Sequence, residues 1–85
     1  MAIQIILDNK AKKDLRKIPA IVKKRVIHAL ELLKENPLIG IPLSGEFKTF
    51  RKIRLGDYRI VYKYYPKDKI IVISRIKSRQ SAYKN

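Results

Sequence analysis

Apolar and polar residues alternate most regularly between Phe50 and Tyr64, in the stretch FRKIRLGDYRIVYKY. Alternation with a period of two sends successive side chains to opposite faces of a strand. Gly56-Asp57 interrupts it, and a two-residue loop opening on glycine is a strong signal for a tight hairpin with a primed turn. With those two residues as the loop, Leu55 faces Tyr58, Arg54 faces Arg59, Ile53 faces Ile60 and Lys52 faces Val61. One face then carries Ile53, Leu55, Tyr58, Ile60 and Tyr62, with Arg51 near its end. The other carries Phe50, Lys52, Arg54, Arg59, Val61 and Lys63, which is four cations and no acid.

Ahead of the hairpin, Ala2 to Leu7 reads as an Ile-rich first strand. Asp8 is a good N-cap for a helix from Asn9 to about Lys17, in which Ala11, Leu15 and Ile18 follow the spacing of a buried stripe. Pro19 breaks the chain and suits the first turn of a second helix, about Pro19 to Glu35. Val22, Val26, Ala29, Leu30 and Leu33 share one face of that helix, and His28 points away from it. Asn36-Pro37 ends the helix. Pro37 to Lys48, with two Pro and two Gly, reads as a connecting loop tacked to the core by Leu38, Ile39, Ile41 and Leu43. After the hairpin, Tyr65 to Asp68 makes a turn and Lys69 to Ile76 a last strand. Its uninterrupted run Ile70 to Ile73 suits a central strand or one buried on both faces. By the alternation, Tyr58 and Tyr62 are packing residues.

The pattern predicts an α+β fold in element order β-α-α-β-β-β: a small antiparallel sheet with an N-terminal helical hairpin on one face. Eighty-five residues make a single domain, residues 1–85, with a small core. Charge adds a partner to this picture. Twenty-one Lys and Arg stand against seven acids, a net charge of +14. Such self-repulsion works against the compact state and favours anionic partners. Because the cations lie in folded elements, nucleic acid ranks ahead of a membrane surface or an acidic protein segment. The pair Arg54 and Arg59 sharpens the point. Like charges directly opposite across two strands destabilise a sheet, and a bound phosphate relieves them. A solvated face of a basic protein accounts for the pair as well.

Several classes drop out. There is no cysteine, hence neither a disulfide nor a thiolate metal site. The single histidine has no carboxylate nearby in sequence to make it an acid–base catalyst. The glycines of the long loop fit no phosphate-cradle motif. No secretory signal and no membrane span are expected, which suits a cytoplasmic protein.

The stretch LSGEFKTFRKIRLGDYRIVYKY, together with Asp8, Ala11 and Leu15 of an Asp-x-x-Ala-x-x-x-Leu opening, resembles the RelE/ParE toxins of prokaryotic type II toxin–antitoxin systems. The resemblance covers nearly the whole chain. In the RelE-like branch it implies helices on one face of the sheet and, on the other, a surface that cleaves messenger RNA in the ribosomal A site. By position, Lys52, Arg54 and Arg59 match the family's basic catalytic residues, and Arg79 and Tyr83 match its C-terminal motif. Lys63, Arg75, Lys77 and Lys84 extend the basic surface and are expected to contact RNA. Relatives often carry Gly-His before the C-terminal Arg, where this chain has Lys77-Ser78.

The resemblance also implies a cognate antitoxin, with the two proteins forming a hetero-oligomer. The ribosome and mRNA are the other expected partners, and no cofactor or metal is expected. RNA carries its own nucleophile, the 2′-OH, so fixed cations suffice to stabilise the extra negative charge. Like charges disfavour a lysine's charged form, which makes Lys52, sitting among Arg54 and Arg59, the candidate base. A guanidinium stays protonated. Arg59 would grip the scissile phosphate, Arg79 would stabilise or protonate the leaving oxygen, and Tyr83 would stack on a base or help activate the 2′-OH. Two alternatives remain: a ParE-type inhibitor of DNA gyrase without nuclease activity, and a basic RNA-binding module that does not cleave.

Overall fold

The computed structural model describes residues 2–45 and 49–78. The elements run β1 (Gln4–Leu7), α1 (Asn9–Arg16), α2 (Ala20–Glu35), β2 (Ile41–Pro42), β3 (Phe50–Leu55), β4 (Tyr58–Tyr65) and β5 (Ile70–Ser78). The five strands form one sheet in the order β1-β5-β4-β3-β2. The α+β architecture is the expected one, with two differences. The sheet is mixed rather than antiparallel, because β1 pairs with β5 in parallel, Gln4 beside Ile70 through Leu7 beside Ile73. A short extra strand, β2, lies inside what the sequence suggests is only a loop, pairing Ile41 with Lys52 and Pro42 with Arg51. Proline has no N–H for a ladder, so it is confined to edges such as this one.

Local signals set the helix ends. Asp8 caps α1, its carboxylate accepting from the Lys10 N–H at 3.3 Å. Pro19 occupies the N-cap position of α2, and its carbonyl accepts from Val22 and Lys23. Both helices lie on one face of the sheet. Ala11 and Ile18 meet Val26, Ala29 and Leu33, and these pack on Ile60, Tyr62, Ile71, Ile73 and Ile76. Leu15, Val22 and Leu30 complete the predicted stripes as partly buried neighbours. β5 lies inside the sheet, as its apolar run suggests, flanked by β1 and β4.

The loop after α2 is held differently from the expectation. Leu38, Ile39 and Ile41 are 57%, 48% and 61% exposed, so they do not tack it to the core. Polar contacts hold it instead. The buried Tyr62 hydroxyl donates to the Pro37 carbonyl at 2.8 Å and accepts from the Gly40 N–H at 2.9 Å. Arg51 donates to the carbonyls of Gly40 at 2.8 Å and Leu38 at 3.3 Å. Burial pushes the Tyr62 hydroxyl above its ordinary pKa, against the opposing pull of the Gly40 N–H and Arg51. Gly40 is needed for the approach, since a Cβ there would stand 2.6 Å from the Tyr62 hydroxyl oxygen. Tyr62→Phe strands a buried N–H and is expected to lower stability by about 1–2 kcal/mol in urea denaturation. An unchanged midpoint would show that the loop does not depend on this anchor.

Candidate functional site

The hairpin has the register its sequence dictates. Arg54 pairs with Arg59, Ile53 with Ile60, Leu55 with Tyr58 and Lys52 with Val61. Gly56 takes φ 61°, the left-handed conformation that the first residue of such a turn requires. With Ile60 and Tyr62 beneath the helices, the alternate residues Lys52, Arg54, Arg59 and Lys63 lie on the face the helices leave bare.

β5 continues the arrangement. Arg59 pairs with Lys77 and Val61 with Arg75. Directly paired residues project to the same face, so two rows cross the sheet. One is Arg54–Arg59–Lys77, and the next is Lys52–Val61–Arg75. Strands lie about 4.8 Å apart, so three cations of the first row span roughly 10 Å. Neither row contains an acid.

A β-bulge makes the second half of this possible. The register shifts between Val61 and Tyr62, which pair with Arg75 and Ile73 and leave Ser74 as an extra residue. In a regular strand, Arg75 and Lys77 would share the core face with Ile71 and Ile73. The bulge reverses the alternation. It turns Ile76 inward, where it is 2% exposed, and Arg75 and Lys77 outward.

Asp14 of α1 stabilises β5 just past the bulge. β1 ends opposite Ile73, and the Asp8 N–H closes that ladder on the Ile73 carbonyl at 3.0 Å. Beyond it, the edge of β5 has no strand neighbour on that side. The Asp14 carboxylate takes that place. It accepts from the Ile76 N–H at 2.9 Å and from Arg75 through Nε at 2.9 Å and Nη2 at 3.2 Å. Burial alone would raise the Asp14 pKa. The hydrogen bonds from Arg75 and the Ile76 N–H, with the charges of Arg75 and Lys77, outweigh it and hold the carboxyl below its ordinary value. The same hydrogen bond raises the pKa of Arg75 further.

Of the residues expected at the site, Lys52, Arg54, Arg59, Lys63, Arg75 and Lys77 therefore come together on one face. Arg75 is tied at its edge by Asp14. The Lys63 ammonium rests over two rings, 5.7 Å from the centre of Phe50 and 5.0 Å from that of Tyr65. Arg79, Tyr83 and Lys84 lie outside the described residues. Sequence reasoning misses Asp14, whose partners are more than sixty positions away. A signal for the bulge was present, because core residues Ile73 and Ile76 stand three apart, a spacing no regular strand can bury on one face.

A concavity lies on the helix side. α2 and the hairpin enclose a cleft of about 550 Å³ floored by Ala29, Leu32, Ile39, Ile53 and Leu55 and rimmed by Lys24, Arg25, His28 and Arg54. No helix among the described residues is long and apolar enough to cross a membrane.

Comparison with known proteins places this architecture. Residues 5–83 match the family model described as the ParE toxin of the type II toxin–antitoxin system parDE. The chain belongs to this family of type II toxins. Its relatives include the candidate toxin RelE1 of Methanocaldococcus jannaschii, 32% identical over 90 residues, which cover 100% of this chain and 99% of that one. Among solved structures, the toxin–antitoxin complex RelBE2 of Mycobacterium tuberculosis contains a chain that superposes with a TM-score of 0.84. It is 28% identical, with 93% of this chain and 100% of that chain covered. The archaeal RelE–RelB complex of Pyrococcus horikoshii gives a TM-score of 0.76 at 27% identity, over 93% of this chain and 97% of that chain. The family's fold thus brings the hairpin cations and the outward-turned end of β5 to one surface.

Proposed function

We propose that this toxin is a ribosome-dependent endoribonuclease that cleaves messenger RNA in the A site by attack of the RNA's own 2′-OH. The observation that carries the reading is the row Arg54–Arg59–Lys77, with Lys52 beside it and Arg75 at the edge, paired with Asp14; neither row contains an acid. Like charges in register oppose the sheet, and a five-coordinate phosphorus with its extra negative charge is the species that such a row suits. In the proposed step, Lys52 takes the 2′-OH proton, the 2′-oxygen bonds to phosphorus, and the bond to the 5′-oxygen breaks. The products are a 2′,3′-cyclic phosphate and a 5′-hydroxyl. Arg59 grips the phosphate through a two-pronged guanidinium contact. Arg54 stabilises the charge that develops in the transition state, where such electrostatic help is commonly largest. Arg79 is assigned to stabilise the leaving 5′-oxygen, which takes its proton from water to end as the 5′-hydroxyl, and Tyr83 to stacking on a base or activating the 2′-OH. Lys63, Lys77 and Lys84 would bind flanking phosphates, with Arg75 at the sheet edge. The whole chain, 1–85, would act as one domain in the cytoplasm, where ribosomes are.

The complexes of the M. tuberculosis and P. horikoshii relatives with their antitoxins support an antitoxin partner for this chain too. Its net charge of +14 favours an acidic one. A second reading, poisoning of DNA gyrase, has the ParE description of the family model in its favour. Primer extension on messages after brief expression in cells separates the two. Cuts confined to translated regions are expected. Intact messages beside inhibited supercoiling would replace the nuclease reading with the gyrase one.

A further inference from the structure

We propose that Phe50 and Tyr65, gathered around the Lys63 ammonium, form a base-stacking subsite for single-stranded RNA at the end of the open face away from the hairpin turn. The inference rests on the nuclease reading of that face and adds to it a place for a nucleotide flanking the cut.

The bare face is not uniform along its strands. Its rows near the turn are cationic. Four residues further along β4 from Arg59, the row Phe50–Lys63–Val72–Ile6 is apolar apart from Lys63. Tyr65, two positions on from Lys63, continues the same face. At about 3.3 Å per residue, Lys63 stands roughly 13 Å from Arg59 along the strand. Phosphates and bases of one strand could thus be met by different ends of one surface.

The rings themselves point the same way. Among the described aromatic residues, Tyr62 is in the core, and Tyr58 and Tyr64 pack against it. Tyr65 lies outside that cluster and is 38% exposed, and Phe50 is half-buried beside it across Lys63. Ile6, at the other end of the row, is 45% exposed. Every base has a face that stacks on an aromatic ring without regard to sequence. Lys63 at 5.7 and 5.0 Å from the two ring centres is drawn to the negative ring faces. An exposed cation–π contact is weaker than base stacking. A base can therefore displace the ammonium, which then becomes free to meet the adjoining phosphate. The occupant is RNA rather than an acidic protein segment because two aromatic rings at one end of a strand face and cations at the other match a chain that carries both bases and phosphates.

The test uses the full chain and two hexamers of equal charge: a 2′-O-methyl oligonucleotide, which lacks the attacking hydroxyl, and its abasic counterpart. In NMR titrations, the ring signals of Phe50 and Tyr65 are expected to shift with the base-bearing hexamer and not with the abasic one. The double variant Phe50→Leu, Tyr65→Leu is expected to bind the former about 10-fold more weakly. Equal affinity for both hexamers, or silent rings, would overturn the subsite. So would a Glu-rich peptide that moves the rings when RNA does not. Cleavage on programmed ribosomes is read in parallel. Wild-type protein that cleaves with silent rings removes the subsite alone, whereas responsive rings without cleavage remove the nuclease reading alone.

Discussion

Asp14→Ala is expected to lower the stability of the fold by about 2–3 kcal/mol, from the loss of charge-assisted hydrogen bonds and an N–H left without an acceptor. For a domain of this size, that is a fall in melting temperature on the order of 10 °C. Asp14 is 15% exposed and Arg75 34%, so water replaces the carboxylate poorly at Ile76 and better at the guanidinium. The cost therefore falls mainly on the β5 backbone just after the bulge. The pH dependence has a definite sign. The folded pKa of Asp14 lies below the ordinary carboxyl value of 3.8. Its contribution is fully present above that value and is lost as the pH falls through the lower, folded one. Urea midpoints of wild type and variant should differ at pH 7 and converge as the medium is made strongly acidic. A gap that persists unchanged would mean that the carboxylate's charge is not what stabilises this edge.

The contrast between the hairpin and β5 shows what a sequence states about itself. In the hairpin, local information suffices. Gly56 fixes the turn, two-residue alternation fixes the faces, and the pairing of Arg54 with Arg59 follows. In β5 the register depends on an extra residue, Ser74, whose effect shows only when Ile76 is weighed against Ile71 and Ile73. The parallel pairing of β1 with β5 is non-local. Nothing within Gln4–Leu7 indicates a partner near the other end of the chain. Asp14 is opaque for the same reason: in α1 it reads as one acid among lysines, and its use emerges only where β1 stops short of Ile76.

The loop after α2 misled for a different reason. Leu38, Ile39 and Ile41 look like core residues by type, yet apolar residues are commonly exposed, and the anchor is a buried tyrosine hydroxyl with an arginine. Arg51 was legible as a cation on the core face. Its purpose, meeting carbonyls of that loop, required the loop's position.

Arg59→Thr separates folding from function because its two effects carry opposite signs. Arg59 stands between Arg54 and Lys77 in register, so the wild-type sheet bears cross-strand repulsion on both sides of it. Thr suits a strand and removes both repulsions. Stability is expected to stay level or rise by roughly 0.5 kcal/mol. Cleavage on programmed ribosomes is expected to fall about 10²- to 10³-fold, the usual scale for removing one preorganised contact to transition-state charge. Binding of single-stranded RNA should also lose one phosphate contact, reducing the slope of log K against log salt by about 0.7. A structural role would move these together, since a variant that loses activity by unfolding loses stability first. A functional role moves them apart. Arg59→Thr that keeps full cleavage while gaining stability would show that this row is a solvated basic surface, and the phosphate would then have to be met elsewhere.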